Sequence, residues 1–369
     1  MPTWSRLIVA LACMAAALGC RKSEAPDSRG PQLALANQKQ PFYEDNPTYI
    51  SAASVAWPTS APEAQGVDAT LLFAADAELA ATASTLSFLL IRNGSLVHEA
   101  YFHGSEAHNS HNIHSASKGI LGALVGILVE QGALNLGDKI TELLPNYIYR
   151  GNSKAGMTLE HLLTMSAGFR WTEDKTEATI ERADDWVQAI IDLPLARAPG
   201  QRFNYSTGQT HLVSAIVARA SGSTTSDFAE RALFAPLGIT FEHWGHDPKG
   251  VASGGYNLYM TPRALARFAL LCANRGTLDG QRIISSDWVD ASRRAHMRVD
   301  NDYSYGYYWW RRTIGGHLVE FLWGFGGQFA YLIPDFNAIV VLSNDTHNDH
   351  DEMDGEDFLK RFVIPALSE

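Results

Sequence analysis

"HSASKGILGALVGILVEQGAL", residues 114–134, is the stretch on which the fold turns. From Gly119 to Val129 no side chain is polar. A helix that is apolar on every face belongs inside a large core. It is too short for a bilayer, which needs roughly 20 such residues. Gly119, Gly122 and Gly126 each cost about 1 kcal/mol of helix propensity relative to alanine, so they are expected to let other elements pack close. Just ahead of this run stand Ser115 and Lys118, a hydroxyl and an ammonium three residues apart. If Ser115 opens the helix, Lys118 lies one turn on and on the same face. The helix N-terminus favours an alkoxide as it forms. An apolar setting disfavours the charged form of lysine and lets it act as a base near neutral pH. Together they would activate a serine nucleophile without histidine.

The residues before the pair offer a competing chemistry. His108, His111 and His114 are spaced three apart and on a helix would share a face, in the manner of zinc ligands. The intervening Asn and Ser residues carry no apolar stripe, so the segment reads as a loop leading to the nucleophile, and no metal is expected. The acidic stretch at 345–357 lacks the spacing of a calcium loop and reads as a solvated loop feeding an acidic helix start.

Outward from the central helix, the pattern divides into three. Asp68 precedes a helical segment, and two apolar runs then flank Asn93-Gly94, a strong hairpin signal. From about 134 to 295 the reading is mainly helical, with segments around 158–168, 183–193, 209–222, 226–234 and 262–276. Four strands follow in close succession, at 303–312, 316–323, 328–334 and 337–344, and an amphipathic helix at 355–367 closes the chain. Strands at both ends with helices between imply an α+β fold: one antiparallel sheet from both chain ends, flanked by helices, with a mainly helical inserted sub-domain. A cleft between the two parts is the expected place for a site.

Composition bounds the partners. The 369 residues carry 29 Lys and Arg against 40 Asp and Glu, a formal net charge of −11, which argues against nucleic acid as a partner. Residues 1–19 read as a signal peptide: Arg6, an apolar run from Leu7 to Leu18, then small residues before Cys20. "ALGC" has the form of a bacterial lipobox, so Cys20 is expected to carry lipid, with a Ser/Pro/Gln-rich tether and lead-in over 20–60 and one folded domain over 61–369. The expectation is an exported lipoprotein facing the periplasm, held at the membrane through its lipid only; without lipidation it would be periplasmic or secreted. Cys272 sits in an apolar helical segment and reads as a core residue.

Two downstream stretches change the weight of the serine–lysine pair. "PGQRFNYSTGQTHLV" has a Pro-Gly turn, a short extended piece ending at Tyr205, and a helix capped by Ser206 or Thr207. "EFLWGFGGQFAYLIP" places Gly324, Gly326 and Gly327 at the mouth of a strand, where backbone can approach a ligand closely. In this order, and with framework stretches such as "MTLEHLLTMSAGFRW" and "TPRALARFALLCANRGTLDGQRI", the chain resembles the serine β-lactamase and penicillin-recognising enzyme superfamily from about Ser87 to Asn344. Within it, the likeness is to the class C β-lactamase-related hydrolases, which include esterases, DD-peptidases and 6-aminohexanoate-dimer hydrolases.

The resemblance implies that Ser115 is the acylated serine, Lys118 its partner, and Tyr205 the tyrosine that shares general acid and base work with the lysine. It places Phe325-Gly326-Gly327 at the third motif, and it implies an oxyanion hole of the Ser115 and Gln328 backbone N–H groups. No cofactor is implied. Two positions depart from the pattern. Thr207 stands where the second motif usually ends in Asn, keeping a hydroxyl but losing an amide's paired donor and acceptor. Phe325 stands where lactamases have a lysine that draws in a carboxylate. With Trp323 and the aromatic run Tyr303 to Trp310 it would form an apolar wall, unless Arg311 or Arg312 supplies a charge. Thr207, Phe325, Gly326 and Gly327 are thus the expected substrate-binding residues. The expectation is a serine hydrolase of a small ester or amide. β-Lactamase or DD-peptidase action and a non-catalytic penicillin-binding-like lipoprotein are the alternatives. The natural substrate and the oligomeric state are left open.

Overall fold

The computed structural model describes residues 56–240, 242–346 and 353–368. The expected signal peptide, Cys20 and most of the tether lie outside the described residues, as does 347–352 of the acidic loop. Among the described residues no helix is long and apolar enough to cross a membrane.

Among the described residues the first α-helix is α1 (Ala69–Ala81), whose first turn is capped by the Asp68 carboxylate accepting from the Thr70 N–H at 2.7 Å. Then come β1 (Thr85–Arg92) and β2 (Ser95–Tyr101), an antiparallel pair. Arg92 faces Ser95 across a two-residue turn, and Asn93 and Gly94 both take positive φ, 52° and 79°, as a tight hairpin requires. The central helix α2 spans Ser117–Glu130, and every residue from Ser117 to Leu128 is buried. Helices α3 (Leu159–Leu163), α4 (Glu173–Ile180), α5 (Trp186–Asp192), α6 (Thr207–Ser221), α7 (Pro262–Ala273) and α8 (Ser286–Arg293) follow. The remaining strands of the main sheet are β3 (Met297–Arg298), β4 (Ser304–Tyr305), β5 (Trp310–Ile314), β6 (His317–Gly324), β7 (Gln328–Ile333) and β8 (Ala338–Asn344). A helical run over 355–367, labelled α9, has a π-helical middle turn at Leu359–Val363.

The expected architecture is present: a single eight-stranded antiparallel sheet ordered β2-β1-β8-β7-β6-β5-β4-β3 joins both ends of the chain. β7 and β8 are buried at every residue, so both faces of the sheet's middle are covered. α7 packs against β1, β7 and β8, and α9 sets Phe358 edge-on to Phe88 of β1. The helix α2 glycines are close-approach points. A Cβ on Gly119 would meet the Leu322 side chain of β6 at 2.5 Å, and one on Gly126 would meet the Trp288 ring of α8 at 2.2 Å. Trp288 also donates its indole N–H to the Gly122 carbonyl at 3.1 Å, tying α8 to α2.

Three details differ from the sequence reading. The aromatic run 303–312 is not one strand. It breaks between β4 and β5, where Tyr308 adopts a positive φ of 68°. The mainly helical stretch holds short strands at His243–Trp244 and Leu258–Met260, which pair with His111–Asn112 into a small second sheet. It also contains α4, whose sparse apolar content gave no helical stripe.

Candidate active site

Ser115 lies in a 3-10 turn, His114–Ala116, that runs directly into α2, so the expected nucleophile sits just before the α-helix rather than as its first residue. His114 takes a positive φ of 47°, held there by its backbone N–H donating to Asn112 Oδ1 at 2.9 Å. Its ring packs edge-on to Phe325 at 5.6 Å and meets Thr346 Oγ1 at 3.2 Å. The three histidines do not converge. His111 is buried against Ser105 Oγ at 3.1 Å, with its pKa pushed down to about 4 by burial, and His108 sits half-exposed beside Glu106. Among the described residues no group of three or more His, Cys, Asp or Glu is placed to hold a metal ion.

One turn into α2, the buried Lys118 ammonium donates three hydrogen bonds: to Ser115 Oγ at 2.7 Å, to Thr207 Oγ1 at 3.1 Å and to the Gly255 carbonyl at 2.9 Å. Its Nζ lies 5.0 Å from the centre of the Tyr205 ring. Burial pushes the lysine pKa down from 10.5 to about 8, against the opposing pull of the Glu173 and Glu177 carboxylates. A lysine poised there is partly neutral near physiological pH.

Each partner is positioned from a different element. Ser206, not Thr207, caps α6, accepting from the Gln209 N–H. Tyr205, just ahead of it, stacks on Trp310 of β5 at 5.7 Å and meets Tyr305 edge-on. Asn204 fixes the approach, donating its backbone N–H to Met165 O at 2.7 Å. The loop carrying Gly255 is pinned to α6 by a buried pair, His211 Nε2 to Asp247 Oδ2 at 3.0 Å. Gly255 must be glycine, since a Cβ would sit 2.3 Å from Thr210 Oγ1 and 3.0 Å from the lysine nitrogen.

The third motif forms the β6–β7 turn. Gly324 pairs with Gln328, and Gly326 and Gly327 take φ of 73° and 86°. A Cβ on Gly324 would meet the Ile113 carbonyl at 2.2 Å, so the end of β6 lies directly against the turn bearing Ser115. The start of β7 is held by Asn344, which donates to Gly327 O at 2.6 Å, while Gln328 Nε2 donates to Asn344 O at 2.6 Å. Phe325 brings no charge here. Arg311 and Arg312 do not replace the missing lysine: Arg311 pairs with Glu320 at 3.2 Å, and Arg312 with Glu356 and Tyr303.

The sequence reading missed Glu173. Its carboxylate accepts from the Thr207 backbone N–H at 2.8 Å, from the Thr207 hydroxyl and from the Trp171 indole N–H. Glu177, one turn on, is buried, and its pKa is held well above the usual carboxylate range by burial and by Glu173 and Glu181. Glu173, Glu177 and Glu181 recur every four residues. That acidic stripe was the available signal for a helix with one face turned to the site.

An antiparallel sheet backed by a buried helix, with Ser-x-x-Lys at that helix's start and a glycine turn against it, is the arrangement of the β-lactamase and penicillin-binding-protein fold. The chain belongs to the Beta-lactamase family, whose match runs over residues 73–361. It is 25% identical over 293 residues to the 6-aminohexanoate-dimer hydrolase of Paenarthrobacter ureafaciens, covering 70% of this chain and 71% of that protein. Among solved structures it is similar to the octameric penicillin-binding protein homologue from Pyrococcus abyssi, with a TM-score of 0.62, 19% identity and coverage of 81% of this chain and 76% of that one. It is also similar to EstCE1, a hydrolase with promiscuous acyltransferase activity, with a TM-score of 0.63, 13% identity and coverage of 82% and 99%.

Proposed function

We propose that the protein is a serine hydrolase that cleaves a small ester or amide through an acyl-enzyme on Ser115. The observation that carries this is the 2.7 Å bond between Ser115 Oγ and a fully enclosed Lys118. The neutral lysine takes the serine proton as Oγ bonds to the substrate carbonyl carbon, and the carbonyl π pair moves onto oxygen. The Ser115 and Gln328 backbone N–H groups are the proposed oxyanion donors. As the tetrahedral species collapses, Lys118 and Tyr205 return the proton to the departing alcohol or amine. Water then repeats the sequence in reverse and frees the acid and Ser115.

Small neutral esters and short amides are the proposed substrates. Phe325 replaces the cation that would attract a carboxylate, Arg311 and Arg312 are held in ion pairs, and the Glu173 carboxylate lies near Lys118. A relative acting on a 6-aminohexanoate dimer supports the amide arm. A panel of short-chain nitrophenyl esters, a linear amide dimer and a chromogenic cephalosporin tests the ranking. Ester or amide turnover lost in Ser115→Ala supports it, and cephalosporin turnover without ester or amide cleavage reverses it.

Export and lipidation at Cys20 are proposed from the N-terminal sequence alone. Incorporation of an alkyne fatty acid, lost in Cys20→Ala, tests them.

A further inference from the structure

We propose that Glu173, acting through the Thr207 hydroxyl, is a positioning residue that fixes which way the neutral Lys118 amine points, and so aims its lone pair at Ser115. This rests on the acyl-enzyme reading above and names a part of its machinery.

Hydrogen counting carries the inference. A protonated lysine has three N–H donors, and here they meet Ser115 Oγ, Thr207 Oγ1 and Gly255 O. The neutral base keeps two. The Gly255 carbonyl can only accept, so it holds one. A threonine hydroxyl can donate or accept, and alone it would leave the second undecided. Glu173 removes that freedom. Its carboxylate takes the Thr207 O–H and backbone N–H together, so the hydroxyl oxygen can present only lone pairs to the lysine. Both remaining lysine hydrogens are then committed, and the position left for the lone pair faces Ser115. Glu173 is itself held by the Trp171 indole, which seats over Gly208, where a Cβ would meet its ring at 2.5 Å. The departure of Thr207 from the family's usual Asn thus comes with a partner that orients it.

The groups facing Lys118 are Ser115 on its own side of α2, Tyr205 and Thr207 from α6 and its approach, Gly255 from the loop, and the Glu173 and Glu177 carboxylates of α4. Removing the Glu173 charge takes away one of the two carboxylates that favour the lysine cation, so the Lys118 titration moves to lower pH.

The test is a double-mutant cycle of Glu173→Gln and Thr207→Val, with Thr207→Ser as the conservative variant, read by kcat over a pH series on a nitrophenyl ester. The Lys118 titration is followed in parallel by NMR of side-chain-labelled lysine. Each single variant is expected to lose about tenfold to a hundredfold in kcat. The double variant should lose no more than the worse single one, because the two residues act on one path. Thr207→Ser should retain the wild-type profile, and Glu173→Gln should titrate Lys118 at lower pH. Losses that multiply in the double variant, or wild-type kcat and an unmoved lysine titration in Glu173→Gln, overturn the proposal. The acyl-enzyme reading fails separately, by Ser115→Ala retaining turnover, whereas the NMR titration reads the Glu173 network whatever the substrate.

Discussion

Replacing Lys118 by methionine is expected to abolish turnover while making the fold less dependent on alkaline pH. Lysine titrates at 10.5 when free and at about 8 in the buried site. The displacement of roughly 2.5 pH units corresponds to about 3 kcal/mol, at about 1.4 kcal/mol per unit. The sign follows from proton counting. Between about pH 8 and 10.5 the unfolded chain binds the lysine proton and the folded chain does not, so folded stability rises with pH across that window. Below it the wild type carries the full cost of a buried cation. Methionine carries no charge, but it leaves the Gly255 carbonyl without its lysine donor, a pH-independent loss of ~1–3 kcal/mol. Urea unfolding of both proteins at pH 7, 8, 9 and 10 gives the difference directly, and groups common to both cancel. The wild type should gain on the variant by about 2–3 kcal/mol from pH 7 to 10, and the same comparison on a Glu177→Gln background removes the neighbouring buried carboxyl. Parallel stability curves for the two proteins would refute the claim that burial has displaced this lysine.

Three further outcomes follow from the same geometry. The kcat/KM of an ester substrate should climb with pH and level off above about 8, as Lys118 loses its proton; a flat profile from pH 6 to 9 contradicts a lysine base. Gly126→Ala places a Cβ 2.2 Å from the Trp288 ring and strains that ring's bond to Gly122 O, so it should cost about 1–3 kcal/mol, seen as a lowered Tm. Phe325→Lys should raise the kcat/KM of a carboxylate-bearing ester over its neutral analogue by about fivefold, a half-exposed ion pair being worth ~1 kcal/mol; an unchanged ratio removes Phe325 from the substrate's surroundings.

The fold was legible in the sequence where patterns were dense. An unbroken apolar run marked α2, and Asn93-Gly94 marked the hairpin. The four-strand succession marked the far side of the sheet, although Tyr308 broke its first member, because a positive φ leaves no trace in a run of aromatics. The site was legible where its parts were contiguous. Ser115 and Lys118 share one helical turn, and the structure does bring them together with Tyr205 and Thr207. Glu173 was not legible, because its bond to Thr207 crosses 34 residues of chain and exists only once α4 and α6 are packed. Its own helix offered only the acidic stripe of Glu173, Glu177 and Glu181, a pattern that a solvated face shows equally. The histidines show the opposite error of emphasis: three in seven residues suggested a cluster, yet the backbone turns each to a different neighbour.

Trapping the covalent species tests the central claim most directly. The protein is mixed with a short-chain nitrophenyl ester, quenched in acid within the first turnovers, digested and mapped by mass spectrometry. The account predicts an acyl group on the peptide containing Ser115, absent in Ser115→Ala along with turnover. An acyl group on another residue, or undiminished turnover by Ser115→Ala, would contradict it.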